Sequence, residues 1–257
     1  MKPVALPMAP SMRLDGRRAL ITGAGRGIGR AAAAALAQVG AQTYLVARTG
    51  HEVETVAHEI IDADGTAQAY VLDVEDAAAV AEFVKRHGPF DVLVNNAGTN
   101  RPAAFTNVTE KDFDAITSLN LRSAFFVAQA VAKSLIAAKR PGSLIMISSQ
   151  MGLVGGEKRS VYCATKHGIE GMTKAIAVDL GPHGIRANTI CPTFIDTPLA
   201  EPLLAKPDFQ EWALPRIKLG RFGKVEDIMG AVIYLAGDAS ALVTGSALVV
   251  DGGWTAD

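Results

Sequence analysis

Two cysteines, Cys163 and Cys191, are too few for a disulfide framework and fit free thiols in a reducing compartment. No apolar run approaches the roughly 18 residues that a membrane span requires. The first eleven residues, with Pro3, Pro7 and Pro10, lack the apolar core of a secretion signal, so residues 1–12 read as a flexible leader and the expected location is cytoplasmic. Charged residues make up only 20% of the chain, the formal net charge is -1, and no Lys/Arg-rich run occurs. Such a surface offers no hold for nucleic acid or an anionic membrane. The five histidines (His51, His58, His87, His167, His183) show no metal-ligand pairing such as H-E-x-x-H, so no metal is expected. No G-x-S-x-G elbow marks a serine nucleophile.

What the chain does have is length for one large core and an alternation of short apolar runs with helix-period segments. Strands are expected at 19–22, 43–47, 69–72, 91–95, 144–148, 186–190 and 247–250. Helices are expected near 28–40, 51–63, 76–87, 110–138, 160–180 and 225–236. Strands apolar on both faces, alternating with helices, predict a parallel sheet covered on both sides. Residues 13–257 therefore read as a single doubly wound α/β domain. The proline-rich stretch near 193–216 breaks the pattern. It starts where open α/β sheets bind ligands, beyond the carboxyl ends of the strands, and reads as a substrate lid.

The first strand runs into Gly23-Ala24-Gly25-Arg26-Gly27-Ile28-Gly29 and then an alanine-rich helix. Glycines let backbone approach a pyrophosphate, whose charge meets the free N–H groups of the helix start. The spacing is T-G-x-x-x-G-x-G rather than G-x-G-x-x-G. At the end of the second strand stands Arg48, with no acid until Glu52. An acid there suits a free ribose 2′-hydroxyl and an arginine a 2′-phosphate. With Arg26 as a second cation, NADP is favoured and NAD is the alternative. Asp73-Val74 ends the third strand, where a carboxylate can accept from an adenine amino group. Asn96-Ala97-Gly98 ends the fourth, beside the same cofactor.

Tyr162 and Lys166 lie four apart on a predicted helix and share a face. Ser149 stands at the carboxyl end of a buried strand. Hydride exchange at a carbinol carbon needs a proton acceptor or donor on its oxygen. A tyrosine with a pKa of about 10 is too weak a base at neutral pH unless a lysine ammonium stabilises its phenolate. Ser149 would hold the substrate oxygen, and Asn120 a water linking Lys166 to solvent. Cys163 lacks a base partner and reads as packing.

These residues together resemble the short-chain dehydrogenase/reductase family over 13–253. The shared motifs are Thr22-Gly23-x-x-x-Gly27-Ile28-Gly29, Asp73-Val74, Asn95-Asn96-Ala97-Gly98, Asn120, Ser149, Tyr162-x-x-x-Lys166 and Val250-Asp251-Gly252-Gly253. The resemblance implies a Rossmann-type seven-stranded parallel sheet and hydride transfer with NAD(P). It also implies a catalytic tetrad at Ser149, Tyr162, Lys166 and Asn120, with Lys166 holding the nicotinamide ribose. Pro192, Ile195 and Thr197 fall where the family contacts the nicotinamide, although Thr193 replaces the usual glycine. A homo-oligomer, dimer or tetramer, is implied through the helices at 110–138 and 160–180 and the C-terminal strand. The expected enzyme interconverts a secondary alcohol and a ketone on a small polar hydroxy compound (sugar, polyol or hydroxy acid). The sequence also looks similar to 3-oxoacyl-carrier-protein reductases. A dinucleotide-sensing regulator without catalysis is the remote reading. Gln150, Glu157 and Arg159 should border the pocket, as ligands of a polar substrate or as solvated loop residues.

Overall fold

The computed structural model describes residues 6–256. Residues 1–5 of the expected leader lie outside the described residues, and residues 6–12 carry no regular structure and are exposed. Seven strands form one parallel sheet in the order β3-β2-β1-β4-β5-β6-β7: β1 (Arg18–Thr22), β2 (Gln42–Ala47), β3 (Thr66–Val71), β4 (Val92–Asn95), β5 (Gly142–Ile147), β6 (Ile185–Pro192) and β7 (Ala247–Val250). Strand order reverses between β1 and β4, which makes their carboxyl ends the ligand crevice of a doubly wound sheet. Strands β1, β4 and β5 are apolar on both faces, as expected for a sheet buried between helices. The edge strands differ. Strand β3 buries only Ala67, and in β7 exposed and half-buried residues alternate, because an edge strand is only half covered.

Helices α1 (Gly27–Gln38), α2 (Gly50–Asp62) and α9 (Glu226–Ala236) share one core with one face of the sheet. On the other face pack α3 (Ala77–His87), α5 (Ser123–Ala137) and α6 (Ser160–Leu180). Local chemistry sets their ends. Asp76 caps α3 by accepting from the N–H groups of Ala78 and Ala79, both at 3.0 Å, and Lys85, Arg86 and His87 oppose the dipole of its last turn. Thr109 caps α4 (Glu110–Thr117) by accepting from Asp112 N at 3.1 Å.

The expected helical stretch near 110–138 is present, but not as one regular α-helix. Residues Ser118–Arg122 form a π-helical turn between α4 and α5, and Asn120 lies buried on it. A single i→i+5 turn keeps the chain helical and shifts only the phase of the apolar face beyond it, which hydropathy over so few residues does not show. The proline-rich stretch carries two short helices, α7 (Glu201–Leu204) and α8 (Pro207–Ala213), and a 3₁₀ turn at Leu214–Arg216.

Candidate active site

The turn after β1 has the build of an anion cradle. Gly23 and Gly27 sit at φ +62° and +56°, where side chains are strained. A Cβ at Gly29 would lie 2.1 Å from the Gly23 carbonyl oxygen, so only glycine lets α1 start this close to the turn. Arg26 precedes α1 in extended conformation without a side-chain cap, and the first turn holds no acid. The free N–H groups at this helix start therefore have no side-chain acceptor, and the dipole favours an anion there. The Thr22 hydroxyl accepts from the N–H groups of Asn96 and Ala97 (2.9 and 3.0 Å), while Asn96 Nδ2 donates to the carbonyls of Thr22 and Gly23 (3.0 and 3.1 Å). The motif after β4 thus braces the glycine turn, with Gly98 packed near Asn120 Oδ1.

Around this cradle lie the other expected cofactor residues. Arg48 and Arg26 are exposed and only loosely held, at 3.8 Å from Glu75 and 3.9 Å from Glu52. Asp73 accepts from Glu75 N at 3.0 Å in a turn after β3, and Val74 is buried beside it. Ile28 packs against the core of the α1 face. Pro192 ends β6, buried Ile195 bridges Gly223, and Thr197 lies against Gly27, so the segment after β6 passes over the glycine turn. The hydroxyl oxygen of Thr193 is buried there without a partner. A dinucleotide fits these observations: a cradle that a Cβ would fill, an uncapped helix start and an orphaned polar atom on the segment after β6.

Ser149, Tyr162 and Lys166 converge at the carboxyl ends of β5 and β6. Ser149 is 8% exposed; its hydroxyl accepts from Met151 N at 3.1 Å and donates to Gln150 Oε1 at 3.1 Å. Lys166 is 6% exposed, donates to the Ile147 carbonyl at 2.8 Å and holds Nζ 5.5 Å from the centre of the Tyr162 ring. Burial lowers the Lys166 ammonium to about 8, with Cys191 and Glu170 acting against it. Burial also raises the Tyr162 phenol, and the neighbouring Ser149 hydroxyl offsets part of that. Asn120 is tied down locally: Oδ1 accepts from Thr99 N (2.8 Å), and Nδ2 donates to Thr99 O (2.9 Å) and Thr165 Oγ1 (3.3 Å). These bonds join the loop after β4 to the middle of α6.

One buried feature here was not anticipated. The buried face of α6 carries Thr165, Lys166, Glu170 and Thr173 among apolar Val161, Ile169 and Ala177. Glu170, 7% exposed, accepts from Thr189 Oγ1 (2.9 Å) and Cys191 Sγ (3.2 Å) one turn beyond Lys166. Burial pushes the Cys191 thiol up to about 12. The i, i+4 spacing of Lys166 and Glu170 was legible; that both face inward was not. Cys163 is half-buried beside Tyr162, and four of the five histidines are exposed.

Comparison with known proteins gives a consistent picture. The family model described as enoyl-(acyl carrier protein) reductase matches residues 23–255. An L-xylulose reductase from Bos taurus is 40% identical over 245 residues, 95% of this chain and 99% of that protein. A 3-oxoacyl-(acyl-carrier-protein) reductase from Thermotoga maritima is 40% identical over 246 residues, covering 94% and 99%. The crystal structure of a gluconate 5-dehydrogenase from Burkholderia cenocepacia, in complex with NADP and tartrate, superposes with a TM-score of 0.91 at 39% identity, covering 96% of this chain and 98% of that one.

Proposed function

This chain belongs to the short-chain dehydrogenase/reductase family, and from that premise we propose that it is an NADP-dependent oxidoreductase interconverting a secondary alcohol and a ketone on a small polar hydroxy compound. The observation that carries this reading is the convergence of Ser149, Tyr162 and Lys166 beside the glycine cradle. NADP, when bound, supplies or accepts the hydride. Tyr162 is the general acid/base that gives or takes the proton at the substrate oxygen. Ser149 donates a hydrogen bond to that oxygen and keeps it within reach of the phenol. Lys166 holds positive charge beside the Tyr162 ring, which favours the phenolate. Asn120 holds the π-helical turn against Thr99 and Thr165, which keeps the floor of the crevice in register with α6.

In the cofactor crevice, the glycine turn and the start of α1 take the pyrophosphate, Asp73 and Val74 border the adenine, and Asn96, Ala97 and Gly98 line the wall. Arg48 and Arg26 would pair with a ribose 2′-phosphate, which favours NADP. Pro192, Ile195 and Thr197 border the nicotinamide end. Residues 193–216 act as the substrate lid, anchored by Phe194, Phe209, Trp212 and Trp254, whose rings meet at 4.9–5.6 Å.

Among the described residues no helix is long and apolar enough to cross a membrane, and the free thiols fit a cytoplasmic location. An open apolar groove lined by Leu121, Phe125, Phe126 and Met172 across α5 and α6 supports a homo-oligomer paired through these helices.

The test follows absorbance at 340 nm with purified protein: NADPH oxidation with keto sugars, oxo acids and a 3-oxoacyl thioester, and NADP reduction with polyols and hydroxy acids. Turnover should fall roughly 10²–10⁴-fold in Tyr162→Phe while NADP binding persists. Likeness to the Thermotoga protein supports a second reading, reduction of the 3-oxo group of an acyl thioester, which the thioester arm decides.

A further inference from the structure

The opening beside Tyr162 carries more positive charge than its own side chains neutralise. It is lined by Arg101, Asp112, Lys158, Arg159 and Tyr162, over apolar Val108 and Ile116. Arg101 is paired with Asp112 at 2.9 Å, and Lys158 with Glu157 at 3.2 Å. Arg159 is left over. Among the described residues no carboxylate lies within ion-pairing distance of it, and its guanidinium donates only to the Lys158 carbonyl at 3.3 Å. It is half-buried at the start of α6, three residues before Tyr162.

The backbone holds this cation in place. Lys158 sits at φ +57°, a left-handed conformation that costs a non-glycine residue on the order of 1 kcal/mol. Its carbonyl accepts from Ala103 N at 3.1 Å, which ties the 101–104 loop to the turn before α6. Arg101 and Arg159, far apart in sequence, therefore flank one opening. Burial lowers the Arg159 guanidinium from its ordinary value, with Tyr162, Cys163 and Glu157 pulling the other way, so the side chain is partly desolvated. A neutral polyol would leave that charge desolvated and unmatched. A carboxylate would meet a planar fork of donors that it can bind through both oxygens.

We propose that Arg159, supported by Arg101, forms a carboxylate subsite beside Tyr162, and that the substrate is a hydroxy or oxo acid, such as a sugar acid, rather than a neutral sugar. The carboxylate seats on Arg159, which places a carbinol or carbonyl further along the chain at Ser149 and Tyr162. Arg159 sets specificity and takes no part in proton or hydride transfer. This inference rests on the oxidoreductase reading above and narrows it.

The experiment compares six-carbon oxo acids (5-keto-D-gluconate among them) with neutral ketoses of equal length (D-fructose among them), using NADPH and wild type, Arg159→Gln, Arg159→Lys and Tyr162→Phe. The expected result is a wild-type preference for the acids. Arg159→Gln should lose roughly 100-fold in kcat/KM for the acids, mostly through KM, with neutral turnover within about threefold. Arg159→Lys should recover part of the loss, since it keeps the charge and lacks the fork. A wild-type preference for neutral ketoses, or an equal fall on both classes in Arg159→Gln, overturns the subsite and leaves the oxidoreductase reading standing. Absence of Tyr162-dependent NADPH oxidation with every compound overturns the reading itself, and the subsite with it.

Discussion

Replacing Lys166 by methionine separates what the buried ammonium costs the fold from what it does for the chemistry. The ammonium is lowered from 10.5 to about 8, chiefly by burial. At about 1.36 kcal/mol per pH unit, that gap is worth about 3 kcal/mol of folding free energy lost at neutral pH. Methionine keeps an unbranched apolar stem and carries no charge. Against the gain stand the lost hydrogen bond to the Ile147 carbonyl and the weaker environment of Glu170, together about 1–2 kcal/mol. Lys166→Met should therefore be more stable than wild type at pH 7 by about 1–2 kcal/mol, while turnover falls roughly 10²–10⁴-fold.

The pH dependence is the sharper test. A lysine whose folded pKa is depressed destabilises the fold fully below about pH 8, where both states are protonated. Between about 8 and 10.5 the unfolded chain keeps the proton and the folded one loses it, so wild-type stability rises with pH relative to the variant. Urea unfolding of the cofactor-free protein at pH 7 and pH 10, at one protein concentration, measures this difference. The advantage of the variant should shrink by at least about 2 kcal/mol between the two. A stability difference that is the same at both pH values would refute the reasoning.

Three further outcomes follow from the geometry. Gly29→Ala places a methyl 2.1 Å from the Gly23 carbonyl; it should cost about 1–3 kcal/mol and weaken NADP binding at least roughly tenfold, checked by thermal melting and cofactor titration. Arg48→Ala should raise the KM for NADPH roughly tenfold and leave that for NADH within about threefold, checked by steady-state kinetics with both cofactors. His87 packs against Tyr70 and Phe83 at 4.6 and 4.7 Å, and burial lowers its pKa below 6.5. Its contribution to stability is therefore present above pH 6.5 and lost as pH falls towards the folded value. His87→Phe should flatten the decline in Tm between pH 7 and pH 5, and an unchanged slope would assign acid sensitivity elsewhere.

Much of this protein was legible along the chain because the physics involved is local. Side-chain period separates strands from helices, the T-G-x-x-x-G-x-G turn needs glycine backbone at Gly23, Gly27 and Gly29, and four-residue spacing puts Tyr162 and Lys166 on one face. Those constraints act within a few residues, so residue type and spacing suffice to read them. The polar network of Glu170, Thr189 and Cys191, the seating of Thr197 over Gly27, and the bond from Ala103 to Lys158 that brings Arg101 beside Arg159 join residues far apart in the chain. The π-helical turn that sets Asn120 against Thr99 and Thr165 likewise exists because α4, α5 and α6 must meet around it. Sequence determined which chemical groups were available and on which local element each stands. Tertiary structure decided which charges found partners and which, like Arg159, did not, because burial and ion pairing depend on distances that only the packed chain sets.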